Sequence, residues 1–96
     1  MTSKDRAYLR SLASNIESIF QIGKGSISDN LIKQVNDALE ARELIKITIL
    51  ETCPLDAKEA SIILSNNTNS TVVQVMGRKI TLYRRNEKES KINVIV

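Results

Sequence analysis

The residues with the clearest chemical use are Gly23-Lys24-Gly25-Ser26, placed between the strand-like run Ser18-Ile19-Phe20-Gln21-Ile22 and a helical pattern. Glycines let a backbone turn sharply and approach a ligand closely. The free N–H groups and positive dipole end of a following helix attract an anion, and Lys24 adds a full charge. Such a loop suits a grip on phosphate. The same residues also suit an ordinary strand-to-helix turn that needs glycine for its backbone angles. The loop is not a Walker loop, since the remaining glycine and the Lys-Ser/Thr ending are absent, and it is not a dinucleotide fingerprint.

A second basic tip, Arg78-Lys79, follows Gly77 between two strand-like runs. The chain carries 14 bases and 11 acids, a net +3. Residues 76–96 hold six of those bases (Arg78, Lys79, Arg84, Arg85, Lys88 and Lys91) and two acids, so the excess is concentrated there. A locally basic surface attracts polyanions and speeds their capture. A solvated surface that merely aids solubility has the same signature.

What is missing narrows the chemistry. With no histidine and one cysteine, a Ser-His-Asp triad, a Cys-His pair and a His/Cys zinc site cannot be built. The acids are scattered without metal-ligand spacing. The inventory argues against an enzyme, and no metal, cofactor or small-molecule substrate is expected. Ninety-six residues make one domain, and 42% apolar with 26% charged residues is ordinary for a globular chain. No apolar run approaches the ~18 residues of a membrane span. The charged start, Met1-Thr2-Ser3-Lys4-Asp5-Arg6, lacks a signal peptide's apolar block, and the lone Cys53 fits a reducing compartment. A cytoplasmic protein is expected.

These residues need elements to position them. Leu9, Leu12, Ala13 and Ile16 recur at helical spacing, which predicts a helix over about 3–14 with Arg6 and Arg10 one turn apart on its polar side. A second helix, roughly 28–42, carries Leu31, Ile32, Val35, Ala38 and Leu39 on one face, with Ser26 and Asp29 resembling a capping box at its start. Leu44–Leu50 alternates as a strand, with Ile45, Ile47 and Ile49 on one side and Lys46 and Thr48 on the other. Asp56 and Glu59 suit the start of a third helix, and Asn66–Ser70 reads as a polar loop. Thr71–Met76 and Lys79–Arg85 around Gly77-Arg78 suit a type II′ hairpin. The domain is read as residues 1–86, and residues 87–96 as a charged, then apolar tail whose Ile92–Val96 end has the character to dock on an edge.

The order α-β-α-β-α-β-β predicts an α/β (α+β) two-layer fold with a mixed four-stranded sheet. The expected hairpin pairs Val75 with Ile80 and Val73 with Leu82 on a greasy face, and Gln74 with Thr81 and Val72 with Tyr83 on a polar, open face. With the first three strands parallel, Lys24 and Arg78-Lys79 share the sheet edge where open α/β sheets bind ligands. A first helix running back along the first strand would bring Lys4 and Arg6 there too. Tyr83 on the open face would be able to stack a base or to cover Val72, Lys46 on that face to touch a ligand or simply be solvated, and Phe20 belongs to the core. So few aromatics, and no RNP-like run, argue against an RRM platform.

Several segments together resemble the YhbY family, small bacterial single-domain members of the CRM (chloroplast RNA splicing and ribosome maturation) group. They are Leu9-Arg10-Ser11-Leu12-Ala13, Gln21-Ile22-Gly23-Lys24-Gly25, Ala38–Lys46, Val73-Gln74-Val75-Met76-Gly77-Arg78 and Leu82-Tyr83-Arg84. The resemblance runs from about Lys4 to Arg85. It implies a fold similar to the C-terminal domain of a bacterial translation initiation factor, and non-catalytic RNA binding in maturation of the large ribosomal subunit. The family's GxxG loop falls on Gly23, Lys24, Gly25 and Ser26, with Ser26 in place of the second glycine. Ser14 stands where the family often has His. On this reading Lys24, Arg78 and Lys79 neutralise RNA phosphates, the loop N–H groups fix the strand, and Lys4, Arg6 and Arg10 extend the track. The alternative is a protein-interaction module that meets an assembly factor or another copy through the open sheet face or the tail.

Overall fold

Each helix begins where a side chain can take up its free N–H groups. In the computed structural model, which describes residues 2–86, α1 (Ser3–Ala13) starts with a capping box between Thr2 and Asp5. Helix α2 (Asp29–Arg42) is capped by Ser28, whose hydroxyl accepts from the Leu31 N–H at 3.1 Å. The expected Ser26–Asp29 box does not form, because Ser26 lies outside the helix with φ at 55°. Helix α3 (Ala57–Thr68) opens with an Asp56–Glu59 box. It also runs through three residues of the expected polar loop. Asn67 and Thr68 bond back to the Ile63 and Leu64 carbonyls, and the helix ends at Asn69, which takes the left-handed conformation. The Ile92–Val96 segment lies outside the described residues.

The strands are β1 (Phe20–Ile22), β2 (Leu44–Ile49), β3 (Thr71–Met76) and β4 (Lys79–Tyr83), in spatial order β1-β2-β4-β3. Strand β1 is parallel to β2, while β4 is antiparallel to both β2 and β3. The mixed four-stranded sheet is as expected, and β1, β2 and β3 point the same way. Gly77 takes φ of 59° and Arg78 does not have positive φ, as a type II′ turn requires.

The hairpin register is only half as expected. Val75–Ile80 and Gln74–Thr81 pair, but Val72 meets Leu82 and Thr71 meets Tyr83, with a bulge at Val73. The extra residue turns Val73 to the face opposite Val72. Val72 packs on the core formed by Ile45, Ile47, Ile49, Ile80 and Leu82 under α2 and α3. Val73 joins Leu44 and Tyr83 on the other face, where Leu9 and Ala13 of α1 cover them. The face expected to be open is therefore half covered. Leu44 and Tyr83 are direct cross-strand partners, and with Val73 they make an apolar patch that an i, i+4 pair on one helix can bury. Complete burial of a leucine such as Leu9, 0% exposed, is worth about 1.5–3 kcal/mol.

Tyr83 sits in that patch at 1% exposure, and its hydroxyl meets no hydrogen-bond partner among the described residues. Desolvation raises its pKa above the ordinary 10.0, and the Glu43 carboxylate pushes it the same way. Arg84, just past β4, donates to the Asn36 side chain (2.7 Å), the Asn36 carbonyl (3.0 Å), the Thr68 carbonyl (2.7 Å) and Glu40 (3.4 Å). It ties α2 to the end of α3.

Two outcomes follow for stability. Arg84→Ala leaves half-buried acceptors without a donor and should cost about 2–3 kcal/mol, lowering Tm by roughly 10 °C or more. A thermal melt within about 2 °C of wild type would deny Arg84 this role. For Tyr83, the unfolded chain releases the phenolic proton near pH 10.0 while the folded chain still holds it. Stability from this group is therefore complete below that pH and declines as pH rises through it. Denaturant titrations should show that decline in wild type and a shallower one in Tyr83→Phe.

Candidate nucleic-acid interface

The loop after β1 is built as a tight turn. The Ser26 N–H donates to the Gly23 carbonyl at 2.9 Å, and neither corner residue, Lys24 or Gly25, has positive φ. That is the pattern of a type I turn, whose fourth position favours glycine. Ser26 occupies this position with φ of 55°, so it keeps the left-handed backbone despite its side chain. The two glycines differ. A Cβ on Gly23 would lie 3.1 Å from the Thr52 hydroxyl and 3.4 Å from Leu50, tight contacts that would require those side chains on the β2–α3 connection to give by a few tenths of an ångström. A Cβ on Gly25 would meet nothing within 4 Å. The fold itself makes no demand for glycine at 25.

The turn corners are exposed, and the N–H groups of Lys24 and Gly25 donate to no backbone carbonyl among the described residues. Lys24 forms no ion pair there either. Ile27 and Ser28 separate the turn from α2, whose first turn already holds the Ser28 cap and the Asp29 carboxylate. The expected direct use of that helix end is thereby weakened, and the anion-attracting groups are the turn's own N–H groups and Lys24.

The Gly77-Arg78 turn lies at the same sheet edge, as expected from three codirectional strands. The Ile49 N–H donates to the Arg78 carbonyl at 2.7 Å, and the Leu50 N–H to the Ile22 carbonyl at 2.8 Å, so the end of β2 joins both tips. Glu51 stands between them, 3.8 Å from the Arg78 guanidinium, with both side chains largely exposed. Lys79 is exposed at the start of β4 and faces the uncovered half of the sheet.

The first helix is elsewhere. It does not run back along β1 but packs on Leu44, Val73 and Tyr83, at the end of the sheet away from the Gly77 turn. One Arg6 guanidinium nitrogen donates to the Val72 and Val73 carbonyls at 2.7 and 2.9 Å, holding the bulge. Lys4 and Arg10 are exposed on that same helix. The structure thus brings together Lys24, Arg78 and Lys79, and separates Lys4, Arg6 and Arg10 from them. Buried Tyr83 cannot stack a base. An apolar groove of about 680 Å³ between the end of α1 and the start of β2, lined by Leu12, Ile16, Ile19 and Leu44, contains none of the predicted site residues. Among the described residues, no cluster of His, Cys, Asp or Glu could hold a metal, and no helix is long and apolar enough to cross a membrane.

Comparison with known proteins accords with this geometry. The CRS1 / YhbY (CRM) domain matches residues 1–84. The chain belongs to that family. It is 40% identical over 94 residues to a Bacillus subtilis (strain 168) protein named "Probable RNA-binding protein YqeI", covering 98% of each chain. It is 25% identical to a Haemophilus influenzae protein named "RNA-binding protein", over 98% of this chain and 94% of that one. The fold matches the solution structure of protein SAV1595 from Staphylococcus aureus with a TM-score of 0.81, at 48% identity over 99% of both chains.

A left-handed residue with a side chain carries a cost of about 1 kcal/mol that glycine avoids. Ser26 makes no side-chain hydrogen bond among the described residues to offset it. Ser26→Gly should therefore raise Tm by a few degrees, measured by thermal melting; a lower Tm would mean that the serine side chain contributes something the turn geometry does not reveal.

Proposed function

We propose that this protein binds RNA without catalysis, through the Gly23–Ser26 turn and the neighbouring cations Lys24, Arg78 and Lys79. The observation that carries this reading is Gly25. It is an exposed turn corner with open space where a side chain would go, beside a lysine and N–H groups that have no partner among the described residues. Structure alone gives no reason for glycine there, whereas close approach of a phosphodiester does. Family membership and the names of the relatives support RNA as the polyanion. On the same reading the RNA is ribosomal and the setting is large-subunit assembly in the cytoplasm, with recognition by backbone and shape rather than by base edges. Lys4 and Arg10, on α1, would touch only an RNA long enough to reach the other end of the molecule.

The test separates fold from grip. Gly25→Ala and Lys24→Glu should leave Tm within a few degrees of wild type. Each should weaken binding to large-subunit ribosomal RNA fragments by about tenfold or more in an anisotropy titration. Wild-type binding should itself fall roughly 10²-fold between about 50 and 200 mM salt if some four phosphates are neutralised. Wild-type affinity in both variants would remove the turn from the interface. A partner retained at high salt, with little RNA binding, would favour a protein-interaction module instead.

A further inference from the structure

The sheet face left uncovered by α1 holds a feature that the edge site does not explain. Lys46, Gln74, Met76, Lys79 and Thr81 line a small depression of about 60 Å³ across β2, β4 and β3. The registers set them in two rows: Lys46 pairs with Thr81, which pairs with Gln74; Thr48 pairs with Lys79, which pairs with Met76. The lysines are diagonal neighbours, spaced about 7–8 Å at the backbone by ordinary sheet geometry. Neither forms an ion pair among the described residues. Thr81 is only 3% exposed as a residue, yet its hydroxyl, which forms no hydrogen bond among the described residues, keeps a solvent-accessible surface.

Two neighbouring cations with no ion pair among the described residues repel each other, and the solvent-accessible hydroxyl between them is a donor without an acceptor there. One anionic oxygen cluster would offset that repulsion and accept from the hydroxyl. We infer that this depression is a phosphodiester subsite that carries an RNA strand from the Gly23–Ser26 and Gly77-Arg78 edge onto the open sheet face. This rests on the RNA-binding reading above and deepens it. Lys79 is the shared corner: it lies next to Arg78 at the edge and opens onto the depression. Lys46 and Thr81 belong to the face alone. Gln74 adds amide donors, and Met76, 64% exposed, supplies a polarisable apolar wall against which a base or ribose can rest. The β3 bulge makes the site possible. It turns Val73 under α1 and still sets Gln74 opposite Thr81, so an apolar and a polar residue follow one another on this face.

The experiment uses the full chain and a single-stranded fragment of large-subunit ribosomal RNA, titrated across salt. Lys46→Ala should lower affinity about fivefold and reduce the salt slope by about 0.7, the value for one phosphate contact on a single strand. Lys46→Gln, which keeps most of the side-chain stem, should do the same and guards against a folding defect in the alanine variant. Arg42→Gln removes an equal charge at the other end of the molecule and should change affinity less than twofold. In the wild type, the Thr81 methyl resonance should shift on adding RNA. Wild-type slope and affinity in both Lys46 variants, with an unmoved Thr81 resonance, would overturn the face site while leaving the edge site standing. A wild type that binds no RNA would overturn the RNA reading and this subsite together.

Discussion

The reach of α1 across the sheet is fixed by two backbone carbonyls. Strand β3 is an edge strand with a β-bulge at Val73, and one nitrogen of Arg6 donates to both the Val72 and Val73 carbonyls, at 2.7 and 2.9 Å. A charge-assisted donor to two half-buried acceptors is among the stronger interactions available at a surface. It holds the start of α1 against the start of β3, so that Leu9 and Ala13 lie over Leu44, Val73 and Tyr83 and go no further. The other half of that face, with Lys46, Thr48, Lys79 and Thr81, stays clear. The division of one sheet face into a packed end and an open end thus follows from a single extra residue in β3 and the arginine that answers it.

The cations sort by the same physics. Arginine presents a planar fork that can satisfy several acceptors at once, and Arg6 and Arg84 are both used that way, inside the fold. Lysine is a compact, well-hydrated charge on a flexible stem, and Lys24, Lys46 and Lys79, at the edge and on the open face, form no ion pair among the described residues. Arg78 is intermediate, sharing its charge with exposed Glu51 across 3.8 Å of solvent-screened space. Net charge alone, +3, does not distinguish these roles. Occupancy of the donors does.

Much of this was legible in the residues. Residue patterns placed all seven elements: apolar stripes for α1 and α2, a short strand-like run for β1, alternation for β2, the Asp56 and Glu59 start for α3, and the Gly77-Arg78 turn for β3 and β4. The common edge of Lys24 and Arg78 followed from strand direction. The bulge was not legible: Val72 and Val73 are identical side chains, and either can face the core, so pattern could not say where the register slips. That one ambiguity hid three further facts, namely the burial of Tyr83, the seat of α1 and the role of Arg6. Ser26, with an acid three residues on, fits the capping-box pattern better than Ser28 does, although Ser28 is the cap. The discriminating feature was the backbone of Ser26, which a sequence does not record.

Ser26 also clarifies what a GxxG-type loop requires. The first glycine, Gly23, is favoured by crowding against Leu50 and Thr52, and a glycine at the last position by a left-handed backbone. Those are demands of the turn, and serine meets the second at a cost in strain. The middle of the loop carries no such demand, yet it holds a lysine and a second glycine whose N–H groups have no partner among the described residues. Replacing the last glycine by serine therefore alters the stability of the turn more than the surface it presents, because the atoms that face a ligand belong to Lys24 and Gly25. The loop's geometry and its chemistry reside in different residues, and only the former has changed here.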